Sequence, residues 1–147
     1  MPMVIKFLNR FIFGLRFESS FTSHKPPQLL YEYIKDKANW YKIDFHELIY
    51  FQNDLDHTII NTKTGRGVFM MNPNDQKAKI NYTIDDFVEG RWKFEIEVKP
   101  SNEGSRFYFR CIGPRGLQSA IFYSRISRLE NQLCKLKEKF ELNRAAT

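Results

Sequence analysis

Few side chains in this sequence could do acid–base or metal chemistry, and they are scattered. The three histidines, His24, His46 and His57, show no HxxxH or comparable ligand spacing, so no metal centre is expected. Asp54-Leu55-Asp56-His57 sets two carboxylates beside an imidazole, but at a turn, where solvated charge accounts for them. Asp85-Asp86 would serve as a general acid–base pair only if buried, because burial is what lifts a carboxyl pKa. No GxSxG, GxGxxG or Walker loop occurs, and Gly65-Arg66-Gly67 reads as a hairpin turn. Cys111 and Cys134 lack CxxC spacing and cannot build a disulfide framework, so both read as small buried hydrophobes. No catalytic residue, metal ligand or cofactor is assigned, and an enzyme is not the expected reading.

The charge balance is 23 Lys and Arg against 17 Asp and Glu, or +6, over 147 residues that amount to about one domain. Arg106-Phe107-Tyr108-Phe109-Arg110 flanks aromatics with cations, as a base-stacking platform would. It lacks the glycines of an RNA-recognition signature, its alternation puts Phe107 and Phe109 on one face, and the cations run from Lys25 to Arg144 without forming a block. The nucleic-acid signal is therefore not strong. Hydrophobic residues make up 42% and aromatics 16%, with only 7 Gly and 6 Pro, which excludes a disordered or low-complexity chain. No apolar run approaches the roughly 18 residues of a membrane span.

The first 15 residues imitate a signal peptide, but Lys6, Asn9 and Arg10 interrupt the apolar stretch and no small-residue cleavage site follows. The cytoplasm is the default compartment. Val4, Phe7, Leu8, Phe11, Ile12 and Leu15 recur at helical spacing, which leaves two readings open: weak contact with a membrane surface, or packing on the domain or on a neighbour such as a second copy. The sequon Asn81-Tyr82-Thr83 falls inside an expected strand and carries no weight without secretion.

The spacing of apolar residues defines the elements that must position these groups. Leu15 to Phe21 alternates with period 2 and predicts a half-buried strand. Ser23-His24-Lys25-Pro26-Pro27 breaks it, proline being tolerated in the first turn of a helix. Gln28 to Lys37 follows as a short helix with Leu29, Leu30, Tyr33 and Ile34 on one face, closed by Ala38-Asn39-Trp40-Tyr41. Period 2 then returns over Phe45–Gln52, His57–Thr62, Val68–Met71, Ala78–Val88, Arg91–Lys99 and Arg106–Ile112. Asn53-Asp54, Thr64 to Gly67, Asn72 to Asp75, Glu89-Gly90 and Ser101 to Gly104 supply the turn residues, and connections this short require an antiparallel meander.

Beyond Gly113-Pro114-Arg115-Gly116 the period changes. Phe122, Ile126, Leu129, Leu133, Leu136 and Phe140 recur at intervals of 4, 3, 4, 3 and 4, one stripe on a helix of about 25 residues. Such a stripe suits a coiled-coil seam or a helix laid across a sheet, and the aromatic strand face in need of a cover favours the sheet. One domain is expected over residues 15–142, with 1–14 as an extension of unassigned role and 143–147 as a tail.

This order resembles the helix-grip, or START-like, superfamily of polyketide cyclase/dehydrase and lipid transport proteins. Three segments carry the resemblance: the strand running into Lys25-Pro26-Pro27 to Lys35-Asp36 followed by Asn39-Trp40; the hairpin Thr64-Gly65-Arg66-Gly67-Val68; and the ending Leu133-Cys134-Lys135-Leu136-Lys137-Glu138-Lys139-Phe140-Glu141. The resemblance implies an α+β fold, a curved seven-stranded antiparallel sheet gripping a long C-terminal helix, with a cavity between them for apolar or amphipathic small molecules. Residues expected to line that cavity are Trp40, Met71, Tyr82, Trp92, Phe94, Phe107, Phe109, Phe122 and Ile126. Access between the Trp40–Tyr41 segment and the helix start near Leu117 is likewise implied only by the resemblance. The expected function is binding or transport of a hydrophobic small molecule or lipid. A protein-interaction module with a filled core is the alternative, and a cyclase or hydrolase on this fold, or an RNA-binding protein, ranks lower.

Overall fold

The computed structural model describes residues 14–37, 39–40, 50–54, 57–62 and 65–145. The expected N-terminal helix, His46, Tyr41, the Leu55–Asp56 pair and most of the Phe45–Gln52 strand lie outside the described residues. The elements are β1 (Arg16–Ser23), α1 (Pro27–Lys35), β2 (Tyr50–Asp54), β3 (His57–Thr62), β4 (Gly65–Asn74), β5 (Lys79–Asp86), β6 (Gly90–Ser101), β7 (Gly104–Ile112) and α2 (Ser119–Ala145). The fold is α+β. Its strands form one antiparallel sheet in the order β1-β7-β6-β5-β4-β3-β2, so consecutive strands from β2 to β7 are neighbours and β1 closes the far side against β7.

Antiparallel register turns the period-2 pattern into rows of side chains across strands. Met71 is opposite Tyr82, Tyr82 opposite Phe94, Phe94 opposite Cys111 and Cys111 opposite Phe17. A parallel row holds Phe69, Ile84 and Trp92. These rows belong to the apolar face, and α2 covers it: all six residues of the helical stripe, Phe122 to Phe140, are buried in the same core as the strand aromatics. Burying one such side chain contributes roughly 1.5–3 kcal/mol, so the stripe is accounted for by the sheet without a second helix.

Four expectations change. The Asn72–Asp75 turn is displaced: β4 continues through Pro73, paired with Ile80, and the turn spans 75–78. Proline is tolerated there because, among the described residues, β3 pairs with β4 only as far as Phe69, so Pro73 lies beyond that pairing. Likewise Gly65 and Gly67 are paired strand residues of β4, and Asn53 and Asp54, expected as a turn, are paired strand residues of β2. On α1 the buried face is Leu30, Tyr31 and Ile34, with Leu29 exposed, because Tyr31 reaches across to the β4–β5 turn and donates its hydroxyl to Asp75 at 2.5 Å. Cys134 is exposed, lying beside the α2 stripe and not on it, whereas Cys111 is buried.

Pro26 and Pro27 start α1, and Lys35 closes its last turn. The β6–β7 turn seats this segment: Ser105 Oγ donates to the Lys25 carbonyl at 2.8 Å. Gly104 there has φ +141°, and a Cβ on it would lie 2.6 Å from the Ser23 carbonyl oxygen, so only glycine fits.

Candidate functional site: an aromatic seam between sheet and helix

Because alternate strand positions share a face, the row geometry brings large rings into one contiguous seam under α2. Phe69 lies 5.4 Å from Trp40, edge-on, and Trp40 lies 5.2 Å from Tyr82. Tyr82 stacks on Phe94 at 4.7 Å, and Phe94 leads to Trp92 at 6.3 Å. Trp92 stacks on Phe122 of α2 at 5.8 Å with planes 6° apart. A branch runs from Phe94 to Phe109 at 6.0 Å and on to Phe17 at 6.4 Å. Offset and edge-on arrangements such as these add roughly 0.5–1.5 kcal/mol per pair beyond burial.

The nine residues singled out from the sequence therefore occupy the helix side of the sheet. Trp40, Tyr82, Trp92, Phe94, Phe109 and Phe122 belong to the seam, Ile126 lies in the same core one helical turn beyond Phe122, and Met71 packs partly buried against it. Phe107 is also buried, but its ring stacks on Phe21 at 4.7 Å, in a separate contact. Sequence reasoning missed Phe69 and Phe17. Phe69 alternates with Met71, and Phe17 lies on the apolar side of the Leu15–Phe21 alternation, so period 2 held the signal for both.

Both indole N–H groups along the seam are tied down. Trp40 Nε1–H donates to the Ile34 carbonyl at 2.8 Å. Trp92 Nε1–H donates to Glu89 at 3.2 Å, and the other Glu89 oxygen accepts from the Arg125 guanidinium at 2.8 and 3.1 Å. The Glu89 side chain is only 9% exposed, so one ion pair closes the Trp92–Phe122 end and links the β5–β6 turn to α2. Nothing in the spacing of Glu89 and Arg125 announced this, as they are 36 residues apart. Gly113 makes the close approach possible: a Cβ there would lie 2.7 Å from the Phe122 ring.

The ionisable groups near the seam are set for structure. Burial, reinforced by the nearby Cys111, pushes the Tyr82 hydroxyl pKa well above its ordinary value, and burial also pushes the Cys111 thiol up, so neither ionises near neutral pH. Asp86 is buried but accepts the Val88 and Glu89 amides at 2.8 and 2.9 Å, capping the turn, while Asp85 is engaged by Arg91 through two hydrogen bonds. Among the described residues no group of three or more His, Cys, Asp or Glu could hold a metal. Phe107 and Phe109 of the Arg106–Arg110 stretch face the core, leaving Tyr108 between Arg106 and Arg110. What this arrangement does chemically is to offer an apolar, aromatic environment closed at its Trp92–Phe122 end by the Glu89–Arg125 pair.

No family model matches the chain, and no curated protein matches it. Solved structures do. The chain is similar to the Zhui aromatase/cyclase from Streptomyces sp. R1128, with TM-score 0.69, 10% identity and coverage of 86% of this chain and 93% of that one. It is similar to a START superfamily protein from Mycobacterium smegmatis, with TM-score 0.64, 10% identity and coverage of 88% and 99%. The di-domain ARO/CYC BexL from the BE-7585A biosynthetic pathway matches with TM-score 0.68 and 13% identity over 87% of this chain and 47% of that one. The fold is START-like, the antiparallel sheet with its C-terminal helix being consistent with a helix-grip.

Proposed function

We propose that this chain binds a hydrophobic small molecule or lipid between the sheet and α2 and sequesters it without catalysis. The observation that carries this reading is the continuous seam from Phe69 through Trp40, Tyr82, Phe94 and Trp92 to Phe122, apolar along its length and capped by Glu89–Arg125. Ligand sites are mostly apolar with a few placed polar groups, and the START-like fold supports the same reading. Affinity would come from apolar burial at roughly 25 cal/mol per Å², less the cost of association. The aromatase/cyclase descriptions belong to the neighbours; here the carboxylates and the thiol beside the seam are paired or un-ionised, which favours binding over chemistry.

The test is native mass spectrometry of freshly purified protein, with organic extraction of what is released. A stoichiometric small-molecule adduct, lost in a Phe94→Arg variant that keeps its near-UV circular dichroism, supports the reading. A clean apo mass, with no quenching of Trp40 and Trp92 emission by a panel of lipids and aromatic metabolites, sinks it.

A second reading, an interaction module with a filled core, draws on one observation. Six large hydrophobics stand exposed among the described residues, and four of them, Phe87, Val88, Ile121 and Tyr123, lie on the β5–β6 turn and the start of α2, which Glu89 and Arg125 join. Light-scattering mass would separate the two: a dimer that becomes monomeric in Phe87→Ser/Val88→Ser favours this module.

A further inference from the structure

Ion pairs run across the face of the sheet opposite α2, and one concave stretch departs from that pattern. One cross-strand row there is Glu18, Arg110, Glu95, Asn81 and Asn72. Its charges alternate: Arg110 reaches Glu95 at 2.8 Å and Glu18 at 3.9 Å, and Lys79 reaches Glu95 at 3.2 Å. On the same face Lys99 pairs with Glu97 at 3.0 Å and Arg91 with Asp85 at 2.6 Å. The adjacent row is Arg16, Ile112, Lys93, Thr83 and Met70, with two cations flanking an apolar residue and no carboxylate.

Arg115, in the loop after β7, adds a third cation. With Arg16 and Lys93 it lines a cavity of about 520 Å³ whose wall includes Gly90, Gly113 and Pro114. Among the described residues none of these three cations has an ion-pair partner. Arg91 also lines the cavity but is held by Asp85, and Glu89, the carboxylate in the wall, is already held by Arg125 and Trp92. A groove of about 610 Å³ adjoins, sharing Arg16, Arg91, Lys93 and Ile112 and extending to Met70.

Arg16 and Lys93 are separated by β7 and do not oppose each other directly, but a concave surface of one sign focuses its field on a counter-ion. A single carboxylate would leave two of the three cations uncompensated. A phosphate monoester is close to a dianion near neutral pH and presents three oxygens to guanidinium forks. We infer that Arg16, Lys93 and Arg115 form a binding site for a phosphate-monoester-type dianion, whose organic part would lie along the groove over Ile112 and Met70. Arg16 and Lys93 stand on the opposite face from the aromatic seam, the cavity meets the seam's closed end only at Glu89 and Gly113, and the site does not rest on the ligand reading above.

Amide and arginine-side-chain NMR titrations with inorganic phosphate and pyrophosphate, against chloride at matched ionic strength, test the free anion. Co-sedimentation with phosphatidylcholine vesicles, with and without phosphatidic acid, tests the same group on a lipid. Saturable shifts centred on residues 16, 93 and 115, weakened about tenfold or more in Lys93→Gln/Arg115→Gln and in Arg16→Gln but not in Lys99→Gln, support the site with a free phosphate as its ligand. Retention only on phosphatidic-acid vesicles, lost in the same variants, supports it with a headgroup as the ligand. Shifts that stay linear and match chloride, together with no vesicle retention, overturn it. So does binding by either probe that survives in the double variant.

Discussion

Trp92 of β6 and Phe122 of α2 lie ring against ring, centroids 5.8 Å apart and planes 6° apart, with the backbone of Gly113 pressed against the Phe122 edge. This contact fastens the start of the long helix to the centre of the sheet. Phe122→Ala removes it and leaves a cavity, so urea denaturation should show a loss of about 3–5 kcal/mol. Tyr123→Ala is the control: that side chain is 61% exposed and meets the Phe122 ring only edge-on at 5.4 Å, so its change should stay below about 1.5 kcal/mol. Equal effects would mean the helix is not held by this face.

Glu89 and Arg125 should behave as one unit. The carboxylate is nearly buried and also accepts from Trp92, so removing Arg125 leaves it short of a partner. A double-mutant cycle of Glu89→Ala and Arg125→Ala, read by denaturation, should give a coupling of about 0.5–3 kcal/mol. Additive single effects would count against the link between turn and helix.

The α1–Asp75 contact predicts stability changes at both ends of the pH scale. Hydrogen bonds from Tyr31 and Lys35 hold the Asp75 carboxyl below its ordinary value of 3.8. The ionised form is favoured on folding, so this contribution is complete above 3.8 and fades as pH falls through the lower native value. The Tyr31 hydroxyl is raised above 10.0 by burial and then by its bond to Asp75, so its contribution is complete below 10.0 and fades as pH rises through the native value. Melting curves should show a shallower acid decline in Asp75→Asn and a shallower alkaline decline in Tyr31→Phe. Slopes equal to those of the parent protein would remove the contact from the stability argument.

The two cysteines should separate cleanly in a thiol-labelling experiment. Cys134 is exposed on α2, whereas Cys111 is buried and its thiol is pushed up by burial. Ellman's reagent should modify one thiol rapidly in native protein and the second only after denaturant is added. Fast reaction of both would place Cys111 outside the core.

Much of the fold was legible because strands and helices write their burial into sequence period. The β6 alternation of Trp92, Phe94, Ile96 and Val98 and the six-residue α2 stripe reappear as buried positions. Turn chemistry was less reliable. Asn72-Pro73-Asn74 has the composition of a turn but is strand, because among the described residues its β3 side is unpaired beyond Phe69 and an edge tolerates proline. Of the candidate site, the rings were legible and the polar closure was not. Glu89 and Arg125 are unremarkable in their own segments and meet only when the turn meets the helix.

The sequence by itself determined the element types and the side of each strand that is apolar, since a period of 2 or 3.6 is a local property of backbone geometry. It also determined that the apolar side is unusually rich in rings. Only the tertiary structure decided which rings touch. Trp40 meets Tyr82 across 42 residues, and β1 pairs with β7 so that Arg16 and Lys93 fall on one row with Ile112 between them. Cross-strand neighbours are set by which strands adjoin and in what register, and no local pattern specifies that pairing for strands distant in the chain.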